Sequence, residues 1–200
     1  MKISEPYDPL NKKNLGFSVA DALLSKIVEP LPPHKAFTGA GVYAIYYTGD
    51  FEQYKPIAKA NSNGAFKAPI YVGKAVPPGA RKGGFGLDSP PGHVLYNRLY
   101  EHADTIKAAK NLKIEYFCCR YLTVDDIWIA LGESLMIEMF KPLWNKVLDG
   151  FGNHDPGKGR YKQQNSPWDI IHPGRVWAER LQAGKTEAEL LKRIQTFLGK

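Results

Sequence analysis

Two short stretches of the 200-residue sequence pair a tyrosine with a glycine: Gly41-Val42-Tyr43, and Tyr71-Val72-Gly73 followed by Lys74. Taken alone, either tripeptide reads as a buried strand beside a turn. Further along, Arg98 and His102 stand one helical turn apart, Glu133 falls inside a helical pattern, and Asn145 follows Phe140 and Pro142. The chemistry open to these residue types is proton transfer beside a negatively charged group. A phenol of pKa about 10 is a poor base at neutral pH unless a cation or a proton acceptor assists it, and an imidazole of pKa about 6.5 is such an acceptor. A guanidinium forks two donors onto an oxyanion, which lysine does less well. A carboxylate is the hard oxygen ligand that Mg²⁺ prefers. An amide neither gives nor takes a proton usefully at pH 7 and is suited to bracing.

The elements that must hold these residues are marked by periodicity and by 19 Gly and 15 Pro. A helix is expected over Ser18–Glu29, with Ser18 and Asp21 as a capping box, Val19, Leu23 and Ile27 on one face, and Pro30 as its stop. Residues 41–48 and 69–73 are β-branched and aromatic and read as strands. Between Ala75 and Gly92 lie five Gly and four Pro with Arg81 and Lys82, an exposed cationic loop. From His93 to Lys110 the spacing is helical, with Leu95 and Leu99 inward. A third strand is expected over Leu112–Tyr121, then a helix opened by Thr123 and Asp126 and ended by Pro142. Ser166-Pro167 starts a further helix, and Thr186 opens a last one carrying Leu190, Leu191, Ile194, Phe197 and Leu198. Strands and helices in this order predict an α/β (α+β) domain with a small sheet and helices packed against it.

Composition bounds the rest. At 44% hydrophobic and 24% charged residues the chain is globular, and its length suits one domain. Lys plus Arg number 27 against 20 Asp plus Glu, a net charge of +7 that favours polyanionic partners. Cys118 and Cys119 are adjacent and poorly placed to pair, which suits a reducing cytoplasm. The start, Met1 to Pro6, has no apolar signal-peptide core, and no stretch approaches the roughly 20 apolar residues of a membrane span. His34, His93, His154 and His172 are scattered and give no zinc-ligand spacing. Gly83-Gly84-Phe85-Gly86 lacks the ending of a phosphate-binding P-loop.

Taken together and in order, Gly41-Val42-Tyr43, Tyr71-Val72-Gly73, Arg98 with His102, Glu133, and Asn145 after Phe140 and Pro142 resemble the GIY-YIG nuclease superfamily. The likeness spans Gly41 to Asn145 and includes spacing as well as residue type. It implies a small, mostly antiparallel three-stranded sheet flanked by helices, with a catalytic core over about 38–148 and an extension over about 149–200, in a single domain of residues 1–200. The family pattern also implies that Glu133 is the metal ligand, holding Mg²⁺, with Mn²⁺ an alternative, against the scissile phosphate. Glu138 is the competing carboxylate, but it stands seven residues before Asn145, whereas Glu133 has the family's twelve-residue gap.

Phosphodiester hydrolysis needs an activated water, charge stabilisation on the phosphate and help for the leaving oxygen. Tyr43 is expected to activate the water, with Lys74 lowering its pKa or touching phosphate and His102 taking its proton; His102 acting directly as base is the second route. Many superfamily members carry Tyr where this chain has His102. Arg98 is expected to clamp the phosphate, Tyr71 to orient water or phosphate, and Asn145 to brace the site by hydrogen bonds.

The segment from Gly150 through Asn165 to Arg175 is polar and cationic, and residues 151–200 hold nine Lys or Arg against five Asp or Glu. This tail resembles that of the type II restriction endonucleases within the superfamily, the branch that reads the palindrome CCGCGG. The resemblance implies sequence-specific cleavage of double-stranded DNA by a homodimer, one site per strand, in a system whose cognate DNA methyltransferase protects the host. Candidates for DNA contact are Arg81, Lys82, Arg160, Gln163, Gln164 and Arg175. A homing or repair nuclease would share the catalytic set, but those usually attach it to further domains. A non-catalytic DNA-binding module would not need the set intact.

Overall fold

The computed structural model describes residue 8, residues 10–77 and residues 90–199. Along the chain its elements are α1 (Lys12–Leu24), β1 (Glu29–Pro30), β2 (Gly41–Tyr47), α2 (Lys55–Asn61), β3 (Pro69–Ala75), α3 (Val94–Ala108), β4 (Phe117–Thr123), α4 (Asp126–Phe140), α5 (Leu143–Lys146), α6 (Pro167–Ile171) and α7 (Glu187–Leu198). The strands form one antiparallel sheet in the order β1-β4-β2-β3.

All seven residues of β2 are buried, because the strand is paired on both sides and covered on both faces. Strand side chains alternate between faces. Val42, Ala44 and Tyr46 pack with Ala20 and Leu23 of α1 and Ile129 and Met136 of α4. Tyr43, Ile45 and Tyr47 face the other layer, with Leu95, Leu99 and Ile106 of α3. Phe151, Trp168, Ile171, Leu190 and Ile194 of the C-terminal extension enter that same cluster, so the extension builds the core on the α3 side. Full burial of each such side chain is worth roughly 1.5–3 kcal/mol.

Several boundaries differ from the sequence expectation. Helix α1 begins six residues early, where Asn11 accepts a hydrogen bond from the Lys13 N–H, and ends at Leu24. Its polar first turn hides the start, and Ile27 lies beyond the end, 78% exposed. The third strand is shifted: Ile114–Tyr116 is a 3₁₀ turn, and the ladder with β2 begins only where Phe117 meets Tyr47. Thr123 pairs with Gly41 inside that ladder, so Asp125 caps α4 instead, accepting from the Ile127 N–H. Pro30, expected only to stop a helix, sits in a fourth, two-residue edge strand, where a missing N–H costs little. The three-stranded sheet expected is therefore four-stranded. Helix α7 carries the Thr186/Glu189 capping box, and Ser166 caps α6. Among the described residues no helix is long and apolar enough to cross a membrane.

Candidate active site

Strands β2 and β3 set two tyrosines side by side. Tyr43 pairs with Gly73 and Ile45 with Tyr71, so both rings project from the same face, their centroids 6.2 Å apart. A Cβ on Gly73 would run into the Tyr43 hydroxyl; only glycine leaves room for it. Strand β3 is an edge, so its outward backbone groups need partners. Asn145 supplies both, accepting from the Val72 N–H at 2.9 Å and donating to the Val72 carbonyl at 2.8 Å.

Helix α3 lies across this face on Leu95, Leu99, Ala103 and Ile106, which brings Arg98 and His102 to the tyrosines. The Tyr43 hydroxyl is 2.6 Å from His102 Nε2, and both side chains are buried. Burial, then the charge of Arg98, hold His102 well below its usual pKa, so at pH 7 the ring is neutral and one nitrogen is an acceptor. Burial raises Tyr43 well above the usual phenol value, Tyr71 adds to this, and Arg98 opposes it by charge and by hydrogen bonding. Tyr71 is raised for the same first reason. In the tautomer that carries its proton on Nδ1, the neutral His102 ring accepts from the Tyr43 O–H at Nε2.

Arg98 donates to Glu101 at 2.9 Å, to His154 Nε2 at 2.7 Å and to the Gly152 carbonyl at 3.0 Å. From α4, Glu133 reaches Lys74 of β3 at 2.7 Å, its side chain 19% exposed, and its charge is felt at both Tyr43 and Tyr71. Lys74, expected to lower Tyr43, is engaged by Glu133 instead; the cation that acts on Tyr43 is Arg98. Glu138 is turned outward, 70% exposed, at 3.8 Å from Lys146.

Among the described residues no three His, Cys, Asp or Glu side chains gather into a metal cluster. What Glu133 offers a cation is a hard carboxylate, neighboured by Lys74 and reachable from solvent. One carboxylate completed by water and substrate phosphate is a donor set that suits Mg²⁺, which keeps several waters when bound.

The structure also adds residues that sequence reasoning passed over. Phe151 stacks on His102 with centroids 4.4 Å apart and planes 14° from parallel, and meets Tyr71 edge-on at 5.0 Å. Gly152 lies so close that an added Cβ would sit 2.9 Å from Arg98 Nη2 and 3.2 Å from the Tyr71 hydroxyl. The one visible signal was a large aromatic between two glycines, inside a stretch read as a polar surface.

Arg160, Gln163 and Gln164 are exposed and line a groove of about 360 Å³ with Asn153, His154 and Trp177. These last three also line a cavity of about 390 Å³ that reaches Arg98 and His102, so the two depressions adjoin. Arg175 is different. Expected on the DNA-facing surface, it is 5% exposed, with its N–H groups donated to Asp169 and to three backbone carbonyls. An arginine with its donors committed inside the fold is no base-reading or phosphate contact. Arg81 and Lys82 lie outside the described residues.

Two comparisons with known proteins bear on this geometry. No curated protein matches the chain. The family profile described as the Eco29kI GIY-YIG domain matches residues 35–198.

Proposed function

This chain belongs to the Eco29kI GIY-YIG domain family and is a DNA endonuclease of restriction type, and on that premise we propose that it cuts both strands of a short GC-rich palindrome, CCGCGG, with Mg²⁺ as its metal. The observation that carries the reading is the charge gathered around the Tyr43–His102 pair: Arg98 and the field of Glu133 act on Tyr43, and a cavity reaches Arg98 and His102.

Glu133 is the residue that would hold a divalent cation. When bound, the cation supplies Lewis-acid polarisation of a phosphoryl oxygen. Burial opposes a free Tyr43 phenolate, so the phenol gives its proton to His102 Nε2 as it takes one from the attacking water. The water oxygen forms the new P–O bond and the bond to the 3′ oxygen breaks; the phosphate ends on the 5′ side, the 3′ oxygen takes a proton from solvent to leave as a hydroxyl, and His102 returns its proton to solvent. Arg98 keeps Nη2 on the Gly152 carbonyl and turns Nη1 from His154 onto the phosphate as charge builds there. Tyr71 orients the water or phosphate through its hydroxyl. Lys74 holds Glu133 in place and would share it with the cation, leaving the ammonium to face the phosphate. Asn145 fixes the edge of β3 beneath Tyr71.

Arg160, Gln163 and Gln164, along the groove that adjoins the cleft, are the described candidates for DNA contact; Arg81 and Lys82 are kept from the sequence. A palindrome is most simply met by a homodimer with one site per strand. The enzyme acts in the cytoplasm beside a methyltransferase of the same specificity. Residues 1–200 work as one domain, since the 149–199 extension shares the core of residues 38–148.

The test is a sequenced plasmid incubated with purified protein and Mg²⁺, beside EDTA and a Glu133→Ala variant. Discrete metal-dependent fragments ending at CCGCGG are expected, with Glu133→Ala inactive by at least about 10³-fold yet still binding DNA. Cutting by Glu133→Ala at the normal rate would remove it as the metal ligand; a smear would replace site-specific cleavage with nonspecific nuclease activity.

A further inference from the structure

The Asp169–Arg175 pair lies outside every role assigned above, yet among the described residues it is a buried charged pair with every guanidinium donor satisfied. Arg175 Nε and Nη2 each donate to the Asp169 carboxylate at 2.6 Å, and Asp169 is 3% exposed. The remaining donors go to the carbonyls of Gly150 at 2.9 Å, Phe151 at 3.2 Å and Asn153 at 2.9 Å. Five N–H groups therefore meet five acceptors, which only a planar guanidinium can do. The plane is held between Trp168 and Trp177, 4.9 and 4.5 Å from the ring centroids.

All three carbonyls belong to the 150–153 segment, and that segment touches the cleft. Phe151 lies flat on His102, and the Gly152 carbonyl holds Arg98. Asp169 is anchored in turn by the Ser166 hydroxyl at 2.6 Å. Pro173, two residues before Arg175, accepts from the Lys110 N–H at 2.8 Å, just past the end of the helix that carries Arg98 and His102. The segment is thus tied to α3 through its two catalytic candidates and through the approach to Arg175.

We propose that Arg175 is a positioning residue for strand cleavage: with Asp169 it fixes the 150–153 segment, and through Phe151 and Gly152 it sets His102 against Tyr43 and places Arg98. This rests on the cleavage mechanism above. The charge of Arg175 also helps hold His102 neutral, which serves the same end.

The test compares the full-length protein with Arg175→Lys and Phe151→Leu on a duplex that the wild type cuts. Single-turnover rates are read at saturating DNA, affinity by binding without metal, and the His102 ring proton by NMR. Lysine keeps the charge but cannot serve five acceptors. Its rate is expected to fall about 100-fold, the cost of roughly 1 Å of misplacement at a reacting group, with affinity within about twofold. The His102 resonance should move as the stacked ring of Phe151 departs. Phe151→Leu, with the Asp169–Arg175 pair intact, should show the same division between rate and affinity. An unchanged rate in folded Arg175→Lys would overturn the proposal. So would a loss confined to affinity, which would make Arg175 a DNA contact after all, or a faster rate, which would make the segment an inhibitory strap. Should Arg175→Lys not fold, Phe151→Leu cutting at the full rate overturns it equally. Should the wild type cut no DNA, the nuclease mechanism fails first, and an unmoved His102 resonance in Arg175→Lys would still sink the positioning role.

Discussion

Among the described residues stand two buried tyrosine–histidine pairs of the same length, Tyr43–His102 and Tyr54–His172, each with hydroxyl and Nε2 2.6 Å apart. Burial raises both phenols and lowers both imidazoles. Their surroundings differ. Around Tyr54 the hydrogen bonds run in one closed line: Trp144 Nε1–H donates to the Tyr54 hydroxyl, Tyr54 to His172 Nε2, and His172 Nδ1–H to Asn111, which donates to the Ile171 carbonyl. Aromatic rings of Phe51, Trp144 and Trp168 surround the imidazole, and burial alone lowers it. Around Tyr43 stand Arg98, Tyr71 and the field of Glu133. The contact is the same in both pairs; what differs is the charge around Tyr43 and the cavity that reaches His102.

The sharpest way to break this contrast is to delete each hydroxyl. Tyr43→Phe is expected to slow single-turnover cleavage by about 10² to 10⁴-fold, the range for a lost acid–base group. Tyr54→Phe should cut at the normal rate but lose about 1–3 kcal/mol of folding stability, because Trp144 Nε1 and His172 are left without a buried partner. Rapid-quench kinetics and urea unfolding read the two effects; the contrast collapses if both variants lose the same property.

Acid tests what the pairs share. A histidine buried neutral costs nothing above its unfolded pKa of about 6.5, and destabilises the fold as pH falls from there toward its lowered folded value, because the unfolded chain binds the proton first. For His172, lowered to about 3, this costs about 1.4 kcal/mol per pH unit across that window. His102 adds the same slope over its own window. Unfolding free energy measured from pH 7 to 5 should therefore fall by about 2 to 4 kcal/mol. His172→Gln should remove about half the slope, and a flat wild-type profile would mean that these rings are charged in the fold.

The smallest effect concerns the brace rather than either pair. Asn145→Ala leaves the Val72 N–H and carbonyl without their partners and is expected to cost about 1 to 3 kcal/mol. Asn145→Asp keeps the acceptor and loses the donor, so its loss should be the smaller; amide exchange at Val72 reports which bond persists.

Much of this architecture was legible in the residues. The alternation in β2, the stripe of Leu95 and Leu99 and the capping box at Thr186 are local patterns, and a chain obeys local patterns wherever a core exists to reward them. Strand β1 and helix α2 went unread because Glu29–Pro30 is a strand only through its pairing with β4, and Lys55–Asn61 is too short to show a period. The order and spacing of Tyr43, Tyr71, Arg98, His102, Glu133 and Asn145 could be read directly, because each stands at a fixed place within its own element. What no spacing could contain is that residue 151 lies on residue 102, that Lys74 answers Glu133, and that Arg175 spends its donors inside the fold. Those contacts join parts of the chain brought together only when both faces of β2 are covered, so burial, decided by the tertiary structure, turned an expected DNA contact into a strut and selected which of two identical pairs meets charge.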